Sequence, residues 1–419
     1  MKAILRLAWQ SLVNRKTTAL LTLLTVAISV TLLLGVERVR TQAKASFANT
    51  ISNTDLIVGA RSGQVNLLLY SVFRIGNATN NIDWQSYQEI SQQRAVKWAI
   101  PISLGDSHRG FRVIGTNDSY FKHYQYGQKQ HLTFNDGRPF NTLFETVIGA
   151  DVAKKLNYKI NDEIVIAHGI SDQKFNRHDN LPFKVVGILK PTGTPVDRSV
   201  HVSLGAIEAI HVGWESGARI GQTPDAAQLA EHQFEPKQIT AFMLGLHSKI
   251  QTFALQRAIN TYKKEPLSAI MPGIALHELW GMMSVAEQAL LVVSGFVVIA
   301  GLLGMLTSLL TSLNERRREM AILRAMGARP SHIFFLLISE ATVLTSAGIV
   351  LGAILLYVGL FALQPMIQQQ FGFFIEVTLL STYELTLLAL VQTAGIIVGI
   401  IPAVRAYKHS LADGMTIKI

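Results

Sequence analysis

Four long apolar runs, one extended mixed segment and two short polar connections organise this sequence. The first run, Thr17 to Val36, has no charge between Lys16 and Glu37, and its 20 residues match the ~20 that a helix needs to cross a hydrocarbon core. It is longer than the roughly 7–15-residue apolar segment of a secretory leader, and no small-x-small cleavage site precedes Glu37, Arg38 and Arg40, so an uncleaved anchor is expected. Val285–Leu313, Ile338 to Leu363 and Leu385–Ile401 supply three more runs, the last ended by Pro402. The pattern thus predicts spans at 17–38, 283–313, 333–363 and 385–403, the second long enough to tilt or to protrude as a stalk. Ahead of the first, Ile4, Leu5, Ala8, Trp9 and Leu12 share a helical arc flanked by Lys2, Arg6, Gln10 and Asn14, which predicts an amphipathic helix at 1–16 lying along the interface.

Residues 39–282 read differently. Short β-rich runs, Phe111–Gly115, Thr146–Ile148, Glu163–Ala167, Phe183–Leu189 and Ser199–Ser203, are separated by Gly, Asn, Asp and Pro turns. Ile250, Phe253, Ala254, Ala258 and Ile259 recur at helical spacing and predict a helix near 248–262. The segment is expected to fold as one α+β domain outside the membrane, with the polar, Ala/Gly/Gln-rich stretch 213–238 as a mobile insertion. The fold class expected is therefore an α-helical membrane protein with four spans and a large α+β domain between the first two.

Composition agrees with a membrane part joined to an aqueous one: 49% of residues are hydrophobic and 16% charged over 419 residues. A formal charge of +10 could suggest nucleic acid, but its placement excludes that reading. Twelve basic residues flank the apolar runs, Lys16, Arg316, Arg317, Arg318, Arg324, Arg329 and Arg405 among them, against only Glu315, Glu319 and Asp413. The rest of the chain carries 26 basic and 25 acidic residues, so the basicity is a membrane-edge property. By the positive-inside rule both termini, the 314–332 connection and the 404–419 tail are expected in the cytoplasm, and the 39–282 domain and the charge-poor 364–384 loop outside. The chain has no cysteine, which excludes disulfides, thiolate metal sites and thiol catalysis.

The most informative segment joins spans two and three: Glu315-Arg-Arg-Arg-Glu-Met-Ala-Ile-Leu-Arg-Ala-Met-Gly-Ala328. As a helix it sets Met320, Leu323 and Gly327 on one face and Arg317, Ala321 and Arg324 on another, so it offers apolar knobs together with positive charge. A cationic loop that merely sets topology is the plainer reading, and the ordered apolar face argues against it. This segment resembles the coupling helix of the FtsX-like permease family, which includes MacB efflux pumps, the LolC and LolE lipoprotein-release permeases and bacitracin-resistance permeases. The resemblance extends to the basic N-terminal helix, to Glu340 near the start of span three, and to the tail Ile401-Pro-Ala-Val-Arg-Ala-Tyr followed by Ser410-Leu-Ala-Asp-Gly. Within the outer domain, Phe111-Arg-Val-Ile-Gly-Thr, Val147-Ile-Gly-Ala-Asp-Val-Ala-Lys-Lys-Leu and Val185-Val-Gly-Ile-Leu are similar to the MacB-type periplasmic core.

The resemblance implies a multi-pass subunit of the bacterial inner membrane, paired with a second permease copy or paralogue, each docking its coupling helix on an ABC ATPase. Glu315, Arg316, Arg317, Arg318, Glu319, Met320, Leu323, Arg324, Gly327 and Ala328 are the expected ATPase-contact residues, Arg324 and Gly327 foremost. Gly-Lys never occurs, so the Walker A loop is absent; no cofactor is expected on this chain, and ATP and Mg²⁺ belong to the partner. Export or release of a lipoprotein, peptide, hydrophobic compound or metal-linked substrate follows, with a periplasmic adaptor or substrate-binding protein as a further partner. The alternative is an ABC-type regulator that activates a periplasmic enzyme. No serine-hydrolase elbow, zinc-protease helix or dinucleotide fingerprint supports catalysis.

Other residues invite weaker readings. Gly348-x-x-x-Gly352 and Gly395-x-x-x-Gly399 permit close helix approach, within one subunit sooner than across a dimer seam. Glu340 is an intramembrane carboxylate, functional by default, although its place near a helix end lets it reach water or pair with an arginine. Ten of the twelve histidines fall in the outer domain; His168, His178 and His201, with Asp172 and Asp179, could ligate a metal, but their spacing matches no ligand signature and solvated turns are expected.

Overall fold

A computed structural model describes residues 15–169, 180–212, 226–230, 232, 234–315, 317–371 and 378–408. The amphipathic helix expected at 1–16 and most of the insertion expected at 213–238 lie outside them, as do Asp172, His178, Asp179, Arg316 and the tail beyond 408. The described chain forms two units: Ala43–Met283 with the described part of Ile367–Phe374, and the described parts of Met1–Gln42, Ser284–Met366 and Ile375–Ile419.

Each apolar run sits inside one long helix: Lys16–Asn49 (span one, 34 residues), Pro272–Glu315 (span two, 44), Pro330–Phe371 (span three, 42) and Thr382–Lys408 (span four, 27). All four are long and apolar enough to cross a membrane. Their outward faces are apolar, with Leu20, Leu24 and Ile28 of span one, Phe296 and Ile299 of span two, Ile354 and Phe361 of span three and Leu390 and Ile397 of span four exposed, as a hydrocarbon surround requires. Span one outruns its apolar stretch because residues 37–49 hold neither Gly nor Pro, the residues that break a helix at the largest cost. Pro402 does not end span four as expected; it is buried inside a helix that runs on to Lys408. The ring removes one backbone hydrogen bond, while Ala403 and Ala406 beyond it bury against Leu313, Ile333 and Leu337.

The Ala43–Met283 unit is built on a mixed sheet. Its first half orders β15 (Leu267–Ile270), β1 (Leu56–Ala60), β14 (Ala241–Leu246) and β3 (Val96–His108), all antiparallel. The 13-residue β3 continues into the second half, where β4 (Phe111–Thr116), β12 (Ser199–Ser203), β8 (Glu145–Ile148), β11 (Phe183–Leu189) and β7 (Phe134–Gly137) follow in that order. There β12 runs parallel to β4 and β11 parallel to β8. Short ribbons pair β2 (Ile82–Asp83) with β13 (Gln238–Ile239), and β5 (Gln125–Tyr126) with β6 (Gln130–His131). The run expected over Glu163–Ala167 divides: β9 (Glu163–Ile164) pairs β11, whereas β10 (Ala167–His168) pairs the far end of β3. Two different partners claim its ends, which no property of the run itself foretells.

Three apolar cores support this sheet, one centred on Ile57, Ile100 and Met243, one on Val58, Phe242 and Leu244, and one on Val113, Val185 and Val200. Alternate side chains of β1 and β14 thus enter different cores, as period-2 geometry dictates. The expected helix near 248–262 is Thr252–Asn260, preceded by a 3₁₀ turn at Lys249–Gln251. Its buried face is Thr252, Leu255 and Ile259, and Ile250 and Phe253 are exposed, so the core-facing arc is rotated from the one the apolar spacing suggests.

Candidate functional site

The short helix Arg317–Ala325 lies between spans two and three and has a fully specified end. Gly327 adopts φ +98°, a region strained for any L side chain. The Ala328 N–H donates to the Leu323 carbonyl and the Gly327 N–H to the Arg324 carbonyl, each at 3.0 Å, which together make a Schellman cap. One side of the helix is seated: Met320 packs on Leu313, Ile333, Leu337, Ala403 and Ala406, drawn from spans two, three and four. Arg324 Nη2 donates to the carbonyls of Ala406 and Tyr407, both at 3.3 Å, where span four ends and carbonyls lack intrahelical partners. The opposite side is open, with Ile322 58% and Met326 72% exposed. Separated by four residues, these two form one apolar stripe.

This facing differs from the one read from the sequence. Met320 and Arg324 turn inward together, Leu323 and Ala328 are half-buried, and Glu319 is exposed. The side chains of Glu315, Arg317 and Arg318 lie outside the described residues. The signal that could have found Ile322 and Met326 was present, as a second apolar stripe, but which stripe faces the helix bundle is decided by the bundle.

Above this helix the spans pack through small residues. A Cβ on Gly348 would lie 2.6 Å from Val26 Cγ1, and one on Gly352 2.7 Å from the Ala27 carbonyl, so span three meets a side chain of span one at Gly348 and its backbone at Gly352. Gly399 similarly meets Ala341, and Gly395 meets Thr345, joining spans four and three. Polar side chains add to the packing: Thr31 Oγ1 donates to the Gly352 carbonyl at 3.0 Å between spans one and three, and Thr22 Oγ1 to Ser308 Oγ at 2.9 Å between spans one and two. Glu340 is 2% exposed on span three, so it does not reach water as its position allowed. A second buried charge went unnoticed in the sequence. Arg38 Nε and Nη2 donate to the two oxygens of Glu384 at 2.7 and 3.1 Å, and Arg38 Nη1 donates to the Thr378 carbonyl and hydroxyl at 2.9 and 2.8 Å. The Ser381 N–H completes the Glu384 carboxylate at 2.6 Å.

Comparison with known proteins agrees with this arrangement of domain and spans. The MacB-like periplasmic core domain family matches residues 19–261, and the FtsX-like permease C-terminal family matches residues 291–411. The chain belongs to the MacB/FtsX-type permease family. The permease is similar to YvrN, an ABC transporter permease of Bacillus subtilis, at 24% identity over 317 residues, covering 73% of this chain and 69% of the relative. Similar solved structures include the periplasmic region of MacB from Actinobacillus actinomycetemcomitans, at 10% identity and TM-score 0.35, covering 55% of this chain and 94% of that one. The extracellular domain of the noncanonic ABC-type transporter YknZ from Gram-positive bacteria is another, at 13% identity and TM-score 0.31, with coverages of 52% and 99%. As an ABC transporter permease, the chain is a membrane subunit that works with an ATPase partner.

Two of the permease's candidate histidines, His201 and His168, sit in different settings. His201 on β12 is fully buried against Tyr120 and Phe121, and its Nδ1 lies 3.2 Å from the Val147 carbonyl. Burial, reinforced by the positive field of Arg74, pushes its pKa down to about 3, so it is a neutral core residue. His168 instead meets Asp106, Nδ1 to Oδ1 at 3.0 Å, because β10 pairs His168 opposite Asp106 on β3. His211, just past the helix Leu204–Ile210, brings Nε2 to 4.0 Å from the same oxygen. Neither Asp106 nor His211 was singled out in the sequence, because 62 residues separate Asp106 from His168 and only strand pairing joins them.

Proposed function

We propose that this permease docks a separate ATPase on the Ile322–Met326 stripe of the helix Arg317–Ala325 and passes the ATPase's nucleotide-driven motion to the Ala43–Met283 domain. The observation that carries this reading is the division of that helix into a seated side and an open one. Met320 and Arg324 tie it to the ends of spans two, three and four, while Ile322 and Met326 stand exposed. A partner pushing on the stripe would therefore move span ends, and an exposed apolar pair is what a docking groove buries.

In this reading the coupling helix and both termini are cytoplasmic, the Ala43–Met283 domain lies outside the inner membrane, and a second permease copy or paralogue completes the assembly. This chain is a non-catalytic subunit, with ATP and Mg²⁺ bound by the partner ATPase. The work serves export or release of a lipoprotein, peptide, hydrophobic compound or metal-linked substrate. The Ile322→Glu/Met326→Glu double variant, co-expressed with its ATPase partner, should lose ATPase co-purification and cut permease-stimulated ATP hydrolysis at least tenfold, with thermal unfolding unchanged. Full ATPase binding by that variant sinks the proposal.

A further inference from the structure

Asp106, His168 and His211 come from three different elements, β3, β10 and the end of the helix Leu204–Ile210, and converge on one wall of an open cavity of about 580 Å³. One ligand-capable atom from each lies within 4.8 Å of those of the other two. The convergence has a backbone cause. The β3–β4 register shifts between Leu104 and Ser107, and β10 takes up pairing with β3 at Asp106 and Ser107, holding the Asp106 carboxylate 4% exposed beside the cavity.

The ring of His211 is oriented from behind. Its Nδ1 meets the Ile207 carbonyl, which can only accept, so Nδ1 carries the proton and, in the neutral imidazole, Nε2 is the basic nitrogen. That nitrogen is the one turned toward Asp106 Oδ1, at 4.0 Å. A basic nitrogen and a carboxylate oxygen repel, and 4.0 Å is too long for a hydrogen bond, whereas a cation between them would attract both. An N–H anchored to a backbone carbonyl is also the usual support of a metal-ligating histidine. The rings of His168 and His211 stand 4.6 Å apart and tilted by 43°, so both edges can be directed at a common point.

We infer that Asp106, His168 and His211 form a binding site for a divalent transition-metal ion in the outer domain of the permease. Atoms within 4.8 Å of one another can be gathered on one ion with Zn–N and Zn–O bonds of ~2.0–2.2 Å by side-chain movements of under about an ångström, His168 either giving up the Nδ1 proton it donates to Asp106 or turning Nε2 to the ion. Two imidazoles and a carboxylate, with no thiolate, select zinc and its first-row neighbours over Mg²⁺ and Ca²⁺, which take oxygen ligands. Three protein ligands leave a coordination position open to the cavity.

The test uses the full-length permease in detergent, stripped with a chelator and titrated with Zn²⁺ against a fluorescent indicator. Wild type should bind one equivalent that excess Mg²⁺ does not displace, and His211→Gln should weaken that binding by about 10–100-fold. His211 is partly exposed, so this variant keeps its fold, and its unfolding midpoint without metal should equal that of wild type while Zn²⁺ raises the midpoint of wild type alone. His168→Gln should behave alike. Zinc affinity unchanged in both variants, or no stoichiometric zinc on wild type, overturns the inference.

Discussion

Arg38 and Glu384 show what one residue pair can hold together. Both are almost wholly buried, and the guanidinium spends its donors on Glu384, the Thr378 hydroxyl and carbonyl, and the Leu379 carbonyl. Such a pair contributes little over an apolar pair of the same volume, but removing one member strands a buried charge. Glu384→Ala should therefore destabilise the span bundle by about 3–5 kcal/mol in detergent unfolding, and Arg38→Met with Glu384→Leu should recover most of that loss. If the single and double variants unfold alike, the pair is not the fastening described. His201 makes the opposite use of burial. Its folded pKa of about 3 lies below the unfolded value, so as pH falls from about 6.5 toward 3 the unfolded chain takes up a proton that the native state refuses. The wild type should lose about 1 kcal/mol per pH unit in that window relative to His201→Gln, read as the difference between their unfolding curves; parallel curves would contradict it. From the sequence His201 was a possible ligand, and only the aromatic packing around it makes it a core residue.

Among the elements, the spans and the helix Arg317–Ala325 were legible because their signals are local. A 20-residue apolar run needs no partner to be a membrane helix, whereas Gly327, read from the sequence as part of the helix face, lies past the helix end in the left-handed conformation its missing Cβ permits. Facing is not local. The glycines at 348, 352, 395 and 399 announced close approach, and the structure gives the partners as span one for the first pair and span three for the second. Gly348→Leu should then push spans one and three apart, since even its Cβ would sit 2.6 Å from Val26, and we expect a loss of about 1–3 kcal/mol or more in detergent unfolding. An unaltered midpoint would mean that the seam is looser than described. The helix Thr252–Asn260 teaches the same lesson outside the bundle: its existence followed from spacing, but Leu255 and Ile259 rather than Ile250 and Phe253 meet the sheet.

For the whole molecule, the proposed orientation has a direct measurement, because the chain contains no cysteine to give background. In spheroplasts, Phe253→Cys should react with a membrane-impermeant maleimide, and Met326→Cys should react only after permeabilisation; both positions are exposed on their own units. Labelling in the reverse order would invert the topology. By itself the sequence determined the span count, the large inserted domain and the family, since hydropathy, charge placement and contiguous motifs are all carried by neighbours along the chain. Tertiary structure alone decided which stripe of the helix Arg317–Ala325 stays open, that Arg38 and Glu384, 346 residues apart, share one buried bridge, and that Asp106, His168 and His211 meet. Those outcomes depend on strand register and helix rotation, and both are set by which surfaces bury together rather than by any residue's nearest neighbours.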